Sequence, residues 1–113
     1  MARPNQKMTI KNHERLLLTG AAGGLGKALR ERLKANCTVL RLSDRADFGV
    51  AAAGEEVVLA DLADADAVDT MVKGVDAIVH LGGVSTEGPF APILQANILG
   101  VFNLYEAARK QGV

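Results

Sequence analysis

The segment Leu16–Gly26 restricts the fold of this chain more than any other part of the sequence. The apolar residues Leu16–Leu18 are soon followed by Gly20, Gly23 and Gly26, spaced three apart, and a helical pattern begins there. A strand that turns into a helix at such glycines presents unpaired backbone N–H groups at the positive end of the helix dipole, which favours phosphate. Gly20 would permit the tight turn, Gly23 would let a pyrophosphate approach, and Gly26 would allow close helix packing. The segment predicts a dinucleotide-binding turn; the alternative is a glycine-rich loop without a ligand.

Hydrophobic periodicity alternates between strands and helices along the rest of the chain. The predicted strands are Arg15–Thr19, Cys37–Ser43, Glu55–Ala60 and Asp76–Leu81, and the predicted helices are Gly24–Ala35, Ala65–Lys73 and about Ala91 or Pro92 to Gln111. This alternation is typical of an α/β fold of the Rossmann type, so we expect a parallel sheet with strand order 3-2-1-4 and helices on both faces. Residues 1–14 are interpreted as a flexible leader and residues 15–113 as the dinucleotide-binding domain.

The last predicted helix has an apolar stripe and three unusual positions. Its stripe consists of Leu94, Ile98, Val101, Tyr105 and Ala108. Asn97 and Gly100 are poor helix formers inside this helix, which marks them as functional or closely packed positions. Asn103 is expected on the exposed face.

Asp44 is the second candidate binding residue. It ends the second predicted strand, about 20 residues after the glycine turn, where an acid hydrogen-bonds the adenosine ribose in dinucleotide-binding folds. A carboxylate there would repel a 2′-phosphate and so favours NAD over NADP. Arg45 beside it could accept that phosphate, which leaves NADP open, and a solvated turn is the alternative for both residues.

Candidate residues recur at the carboxyl ends of the predicted strands. Gly20, Asp44, Asp61 and Gly82 all occupy such ends. In open α/β sheets the ligand lies at these ends, so their convergence indicates one binding crevice. His80, at the end of the fourth strand, is interpreted as a satisfied structural residue rather than a base, because no nucleophile is visible beside it.

Composition limits the partners. Lys plus Arg equals Asp plus Glu, so the formal net charge is +0, and nothing favours nucleic acid or an anionic membrane. No apolar run is long enough for a membrane span, and the single cysteine, Cys37, allows no intrachain disulfide, so we expect a cytoplasmic protein. The acids Asp64, Asp66 and Asp69 are interpreted as capping and surface charges, and no metal site is predicted.

Several motifs together resemble the extended short-chain dehydrogenases/reductases, which include the NAD-dependent epimerases and dehydratases. They are Thr19–Gly26, Asp61-Leu62, His80–Gly83 and Asn97–Leu104. Within that group the closest resemblance is to the uronate dehydrogenases. It depends on Leu81–Ser85, Pro89-Phe90 and Asn103–Arg109.

The resemblance implies a set of binding residues for NAD and a sugar acid. Besides Gly20, Gly23 and Gly26, the cofactor-binding residues would be Gly24 and Leu25 at the pyrophosphate, Asp44 at the ribose, Asp61 and Leu62 at the adenine, Leu81, Gly82 and Gly83 at the nicotinamide, and Asn97 supporting the active site. Ser85 would touch the sugar-acid substrate.

By the same resemblance, the full-length enzyme would oxidise a hexuronic acid, glucuronate or galacturonate, to its aldarolactone with NAD. The alternatives are an NAD-dependent epimerase or dehydratase of nucleotide sugars and a non-catalytic NAD(P)-binding module. The Tyr-x-x-x-Lys motif of the family is absent, since the only tyrosine, Tyr105, is followed four positions later by Arg109. We therefore expect no catalytic residue in this chain, a fold without its C-terminal half, and no activity of the chain alone. The exposed edge of such a sheet predicts self-association, as a homo-oligomer.

Overall fold

The computed structural model describes residues 13–113, which form a single parallel sheet with helices around it. The strands are β1 (His13–Thr19), β2 (Cys37–Ser43), β3 (Glu55–Val57) and β4 (Ala77–His80). The helices are α1 (Gly24–Leu33), which continues as a 3₁₀ turn (Lys34–Asn36), α2 (Ala65–Val72), α3 (Phe90–Ile93), a π-helical segment (Leu94–Leu99) and α4 (Gly100–Gln111).

The sheet has the order β3-β2-β1-β4 with every neighbouring pair parallel, so the predicted strand order is confirmed. Leu18 of the central strand β1 pairs with Leu42 on one side and Val79 on the other. Parallel strands are covered on both faces, which explains their nearly continuous apolar sequences.

The two faces of the sheet carry different cores because neighbouring side chains of a strand point to opposite faces. One core contains Leu17, Val68, Met71, Val72, Val75, Leu104 and Ala107, from β1, α2 and α4 and the segment after α2. The other contains Leu16, Leu18, Ala21, Cys37, Leu40 and Leu42, with Leu33 of α1 packed against it. Helices therefore cover both faces, as predicted, and Cys37 is a core residue.

The helix ends follow the expected sequence signals. The Asp64 carboxylate caps α2 by accepting a hydrogen bond from the Ala67 N–H at 3.2 Å. Gly74 and Gly112 follow α2 and end α4 with φ of 76° and 75°, the left-handed conformation that glycine adopts readily. Among residues 13–113, no helix is long and apolar enough to cross a lipid bilayer.

Three strands differ from the prediction in where they begin or end, and β4 is Ala77–His80 rather than Asp76–Leu81. β1 begins at His13 rather than Arg15, because His13 pairs with Cys37 of β2. The Asp76 carboxylate also accepts hydrogen bonds from the N–H groups of Glu14 and Arg15, each at 3.0 Å. The predicted leader, residues 1–14, was thus two residues too long; its remaining residues 1–12 lie outside the described part. β3 ends at Val57, although hydrogen bonds at 3.0 Å from Val58 to Leu42 and from Ala60 to Asp44 keep the chain beside β2 as far as Ala60.

The predicted apolar stripe of the last helix was wrong. Ile98 and Tyr105 are exposed, and the buried residues of α4 are Gly100, Asn103, Leu104 and Ala107. The π-helical segment accounts for part of the difference, because a π turn takes up an extra residue and shifts the faces of the helix that follows. Asn103, expected on the exposed face, is only 8% exposed.

Candidate functional site

A groove runs along the carboxyl ends of the strands and consists of two adjoining cavities. The wide cavity, of about 680 Å³, is lined by Thr19, Gly20, Ser43–Ala46, Ala60–Ala63, Gly82–Val84, Ala91, Pro92, Gln95 and Ala96. The narrow cavity, of about 530 Å³, is lined by Gly20, Gly23–Gly26, Leu81–Ser85 and Asn97. Gly20, Gly82, Gly83 and Val84 line both cavities, so one elongated ligand could occupy the two together.

The glycine turn after β1 leaves no room for side chains at two positions. Gly20 has φ 70°, and a Cβ there would lie 2.6 Å from the carbonyl carbon of Leu81. A Cβ at Gly26 would overlap the carbonyl oxygen of Gly20. At Gly23 the nearest atom to an added Cβ would be the Gly20 oxygen at 3.5 Å, an ordinary contact. The fold therefore requires Gly20 and Gly26, whereas it does not by itself require Gly23.

The N-terminus of α1 opens toward the narrow cavity without a capping partner. Gly23 is the N-cap, and among residues 13–113 no side chain caps it and no acid lies in the first turn. The first backbone N–H groups of a helix have no acceptor inside the helix, and the helix dipole places partial positive charge on them. This end of α1, lined by Gly23–Gly26, is suited to an anion.

The Asp44 carboxylate joins the ends of β1 and β2. Its Oδ2 accepts a hydrogen bond from the Ala22 N–H at 3.0 Å, and its Oδ1 accepts from Arg45 N–H at 2.7 Å and Ala46 N–H at 3.3 Å. A carboxylate offers about four acceptor positions, so it retains capacity for a hydroxyl group in the wide cavity.

The loop after β3 is held in place by α4. The Asn103 amide donates a hydrogen bond to the carbonyl oxygen of Leu62 at 2.8 Å. A Cβ on Gly100 would lie 2.7 Å from the Leu62 Cβ, so only glycine allows the helix to approach this loop. The Asp61 carboxylate accepts a hydrogen bond from the Ala63 N–H at 2.9 Å. Gly100 is thus a close-packing position, and Asn103 positions the loop that forms one wall of the wide cavity.

The loop after β4 is held by the π-helical segment. Asn97 accepts a hydrogen bond from the Val84 N–H and donates one to the Val84 carbonyl, both at 2.8 Å. This pair fixes the backbone next to Gly83, whose φ of 146° is unusual for other residues. The side chain of Asn97 therefore shapes the narrow cavity by holding its loop.

Thr19 and His80 end β1 and β4 side by side. The Thr19 Oγ1 accepts hydrogen bonds from the N–H groups of Leu81 and Gly82, each at 3.0 Å, and lies 2.6 Å from the His80 Nδ1. Burial lowers the pKa of His80 below its ordinary value, which favours the neutral imidazole. The interpretation of His80 as a satisfied strand-end residue agrees with these contacts.

The structure brings every predicted binding residue to this groove. Asp44, Asp61 and Leu62 line the wide cavity, and Leu25, Leu81, Ser85 and Asn97 line the narrow one, with the glycines distributed between them. Tyr105 does not line either cavity and is 72% exposed.

Some lining residues were not chosen from the sequence. They include Thr19, Ser43, Ala60, Ala63, Val84, Ala91, Pro92, Gln95 and Ala96. The hydroxyl of Thr19, directly before the first glycine, was the one local signal available. Gln95 and its neighbours are placed by the packing of α3 and the π-helical segment, which periodicity does not predict.

A comparison with protein families matches residues 16–113 to the NAD-dependent epimerase/dehydratase family. Among curated relatives, a uronate dehydrogenase from Pseudomonas putida is 64% identical over 107 residues, which cover 94% of this chain and 40% of the relative. This chain therefore spans about two fifths of the length of that relative.

Two solved structures are similar in both sequence and fold. A variant of the uronate dehydrogenase from Agrobacterium tumefaciens in complex with NAD superposes with a TM-score of 0.86 at 57% identity, covering 88% of this chain and 37% of that one. The glucuronic acid dehydrogenase from Chromohalobacter salexigens gives a TM-score of 0.86 at 58% identity, covering 88% of this chain and 38% of that one.

Proposed function

This chain belongs to the NAD-dependent epimerase/dehydratase family, and on that premise we propose that its groove binds NAD for the oxidation of a hexuronic acid. The observation that carries the proposal is the uncapped N-terminus of α1, which opens into a groove with a carboxylate at the end of the neighbouring strand. An uncapped helix N-terminus suits an anionic pyrophosphate, and a carboxylate at the end of the next strand suits a hydroxyl-bearing ribose.

The two cavities suggest one orientation of the cofactor. The adenosine would lie in the wide cavity, with Asp44 at the ribose and Asp61 and Leu62 at the adenine. The backbone of Gly24 and Leu25 would hold the pyrophosphate, and the nicotinamide would lie in the narrow cavity. The carboxylate of Asp44 would repel the 2′-phosphate of NADP, which supports NAD as the cofactor. Bound NAD supplies the acceptor for a hydride.

The substrate proposal rests on the narrow cavity and on the relatives. Ser85 is exposed beside the nicotinamide end of the groove and makes its hydroxyl available to a sugar acid. The relatives described above are named for uronate or glucuronic acid oxidation. We propose that the whole protein oxidises the C1 hydroxyl of glucuronate or galacturonate to the aldarolactone.

In this proposal the residues described here bind and position, and they do not turn over substrate. Tyr105 is exposed on α4, and Arg109, four residues later, pairs with Glu106 at 3.0 Å instead of facing the groove. Neither residue lines the narrow cavity. A cytoplasmic location, expected from the single cysteine of the sequence, stays a prediction.

Titration with NAD and NADP, followed by addition of galacturonate, tests this function. We expect heat of binding with NAD, weaker binding with NADP, and no rise in absorbance at the NADH band when galacturonate is added to the chain. Lack of NAD binding would refute the cofactor assignment, and NADH formation would show that a residue of this chain performs the chemistry. A nucleotide sugar, tested in parallel on a full-length relative, separates a dehydrogenase, which accumulates NADH, from an epimerase or dehydratase, which does not.

Self-association is a further part of the proposal. Phe90, Ile98, Phe102 and Tyr105 expose apolar surface along α3, the π-helical segment and α4, each more than half exposed. Exposed apolar surface of this kind favours association in water. Sedimentation velocity should show a species heavier than the 11.9 kDa monomer, and a monomer at every concentration would contradict this expectation.

A further inference from the structure

We propose that His80 is a positioning residue that fixes the hydroxyl of Thr19 and thereby aligns the two glycine turns of the NAD groove. The inference rests on the proposed NAD site for its effect on binding, but the contacts that carry it lie within the protein itself. His80 ends β4, Thr19 ends β1, and each of these strands leads directly into one of the turns.

The hydrogen bonds of Thr19 determine the role of His80. A threonine hydroxyl has one hydrogen to donate and two lone pairs that accept. Both lone pairs are engaged, since the N–H groups of Leu81 and Gly82 each lie 3.0 Å from the Thr19 Oγ1. The hydrogen is left for the His80 Nδ1 at 2.6 Å, so this nitrogen must accept. His80 is therefore neutral and carries its proton on Nε2.

This contact matters because the two turns touch without any spare space. A Cβ on Gly20 would lie within 2.8 Å of both the Leu81 carbonyl and the Gly82 nitrogen, so the turn after β1 rests on the peptide between Leu81 and Gly82. The same peptide nitrogen donates to Thr19. A Thr19 hydroxyl that rotated would release the Gly82 N–H, leave the Leu81 N–H with only the Thr19 carbonyl at 3.3 Å, and shift the Gly82 turn against the Gly20 turn.

His80 also packs against the second turn, at Gly82. A Cβ on Gly82 would meet the His80 Cε1 at 3.4 Å and the Thr19 Oγ1 at 3.3 Å. The imidazole thus contacts the Gly82 turn through its Cε1, while its Nδ1 orients the Thr19 hydroxyl. Neither action requires His80 to touch the cofactor or the substrate.

Two substitutions of His80 test whether an acceptor at the position of Nδ1 is what matters, rather than a polar side chain of similar size. In His80→Asn the side-chain oxygen can occupy the place of Nδ1, whereas in His80→Gln the amide extends toward the place of Nε2. We expect His80→Asn to bind NAD within about threefold of the wild-type affinity and His80→Gln to bind about tenfold more weakly or worse, since a buried hydrogen-bonding group is left unpaired only in the second variant. Calorimetric titration with NAD measures both. Equal affinities of the two variants would overturn the proposal.

Nitrogen NMR of the unliganded chain provides a readout that does not depend on NAD. At about pH 7.5, one unit above the ordinary histidine pKa, the His80 signals should show an unprotonated Nδ1 and a protonated Nε2. The signals are distinguished from those of His13 by their loss in His80→Asn. A proton on Nδ1 would overturn the proposal whatever the affinities are.

Hydrogen exchange covers the case in which His80→Gln does not fold. Thr19→Val removes the acceptor but keeps the shape of the side chain, so the Gly82 amide should exchange about tenfold faster or more while the amides of α2 remain protected. The Leu81 amide also donates to the Thr19 carbonyl at 3.3 Å and should change less. Unchanged exchange of the Gly82 amide would contradict the proposed alignment of the two turns by Thr19 and His80. If the wild-type chain does not bind NAD, the proposed function fails, whereas the tautomer and the exchange rates still decide the role of His80.

Discussion

The glycine turn after β1 and the long helical region at the end of the chain differ in how their structures are determined. In the turn, Gly20 and Gly26 are required by contacts with backbone atoms of neighbouring segments, so the residue types themselves disclose the geometry. In α4, the buried face is set by distant segments, since Leu104 and Ala107 pack in the core with β1 and α2. Gly100 and Asn103 contact Leu62, which lies in a loop far away in sequence. A backbone-determined site can be recognised in a sequence, whereas a face determined by distant contacts cannot.

The largest expected effect tests the turn. Gly26→Ala would place a Cβ on the carbonyl oxygen of Gly20, and backbone atoms cannot move aside easily. We expect the free energy of unfolding to fall by about 3 kcal/mol or more, or the chain not to fold. Gly24→Ala is the matched control, because a Cβ there would have no heavy atom of residues 13–113 within 4 Å outside its own helix, and it should change stability by less than about 1 kcal/mol. Urea denaturation measures both; equal effects would show that the turn tolerates side chains.

The pH dependence of the free energy of unfolding tests how much α1 depends on its ion pair with Glu55 of β3. Arg30 of α1 holds both oxygens of Glu55 on β3, at 2.7 and 2.6 Å, and Lys34 lies 3.1 Å from the same carboxylate. The side-chain hydrogen bonds from Arg30 contribute most to lowering the pKa of Glu55 from 4.5 to about 2.

Because the folded protein holds this proton less tightly than the unfolded chain, the stabilisation is present above about pH 4.5 and is lost as the pH falls through about 2. Over that interval Glu55 should account for on the order of 2–3 kcal/mol, and Glu55→Gln should remove this part of the pH dependence. Parallel pH profiles of unfolding for wild type and variant would mean that the pair contributes nothing measurable.

A smaller effect is expected at the helix. Gly100→Ala would bring a Cβ within 2.7 Å of the Leu62 Cβ, a side-chain atom on a loop that can shift. We expect a loss of about 1–2 kcal/mol, less than at Gly26, because the loop yields more easily than a backbone turn. Asn103→Ala provides a second probe of the same contact, since it leaves the Leu62 carbonyl without its donor. If Gly100→Ala destabilised the chain more than Gly26→Ala, the contrast between the two regions would be reversed.

The features that were predicted correctly from the sequence resemble the glycine turn, because local residue patterns indicate them. The strand order, the cap at Asp64, the tight turn at Gly20 and the close packing at Gly26 follow from local patterns that periodicity and turn chemistry reveal. The binding residues predicted from the family motifs all line the groove, although their contacts with a ligand stay predictions.

What the sequence did not predict depends on contacts between distant segments. The π-helical segment shifted the buried stripe, and Asn103 is buried because it reaches the Leu62 carbonyl, which no local pattern indicates. The first residues of β1 belong to the strand because His13 pairs with Cys37 of β2, while Asp76 binds the N–H groups of Glu14 and Arg15 from beyond α2. The polar sequence of the predicted leader does not indicate such contacts.

Titration of the Gly23→Val variant with NAD shows whether the glycine turn binds the pyrophosphate. Gly23 has φ −76°, and a Cβ there meets no atom closer than 3.5 Å, so a loss of binding in a variant that keeps the wild-type urea midpoint would reflect the ligand rather than the fold. Gly88→Val is the control, because it makes the same change in a loop outside both cavities with no described atom within 4 Å of the new Cβ. We predict that NAD affinity falls at least about tenfold in Gly23→Val and stays unchanged in Gly88→Val. Wild-type affinity in Gly23→Val would show that the pyrophosphate does not bind at the glycine turn.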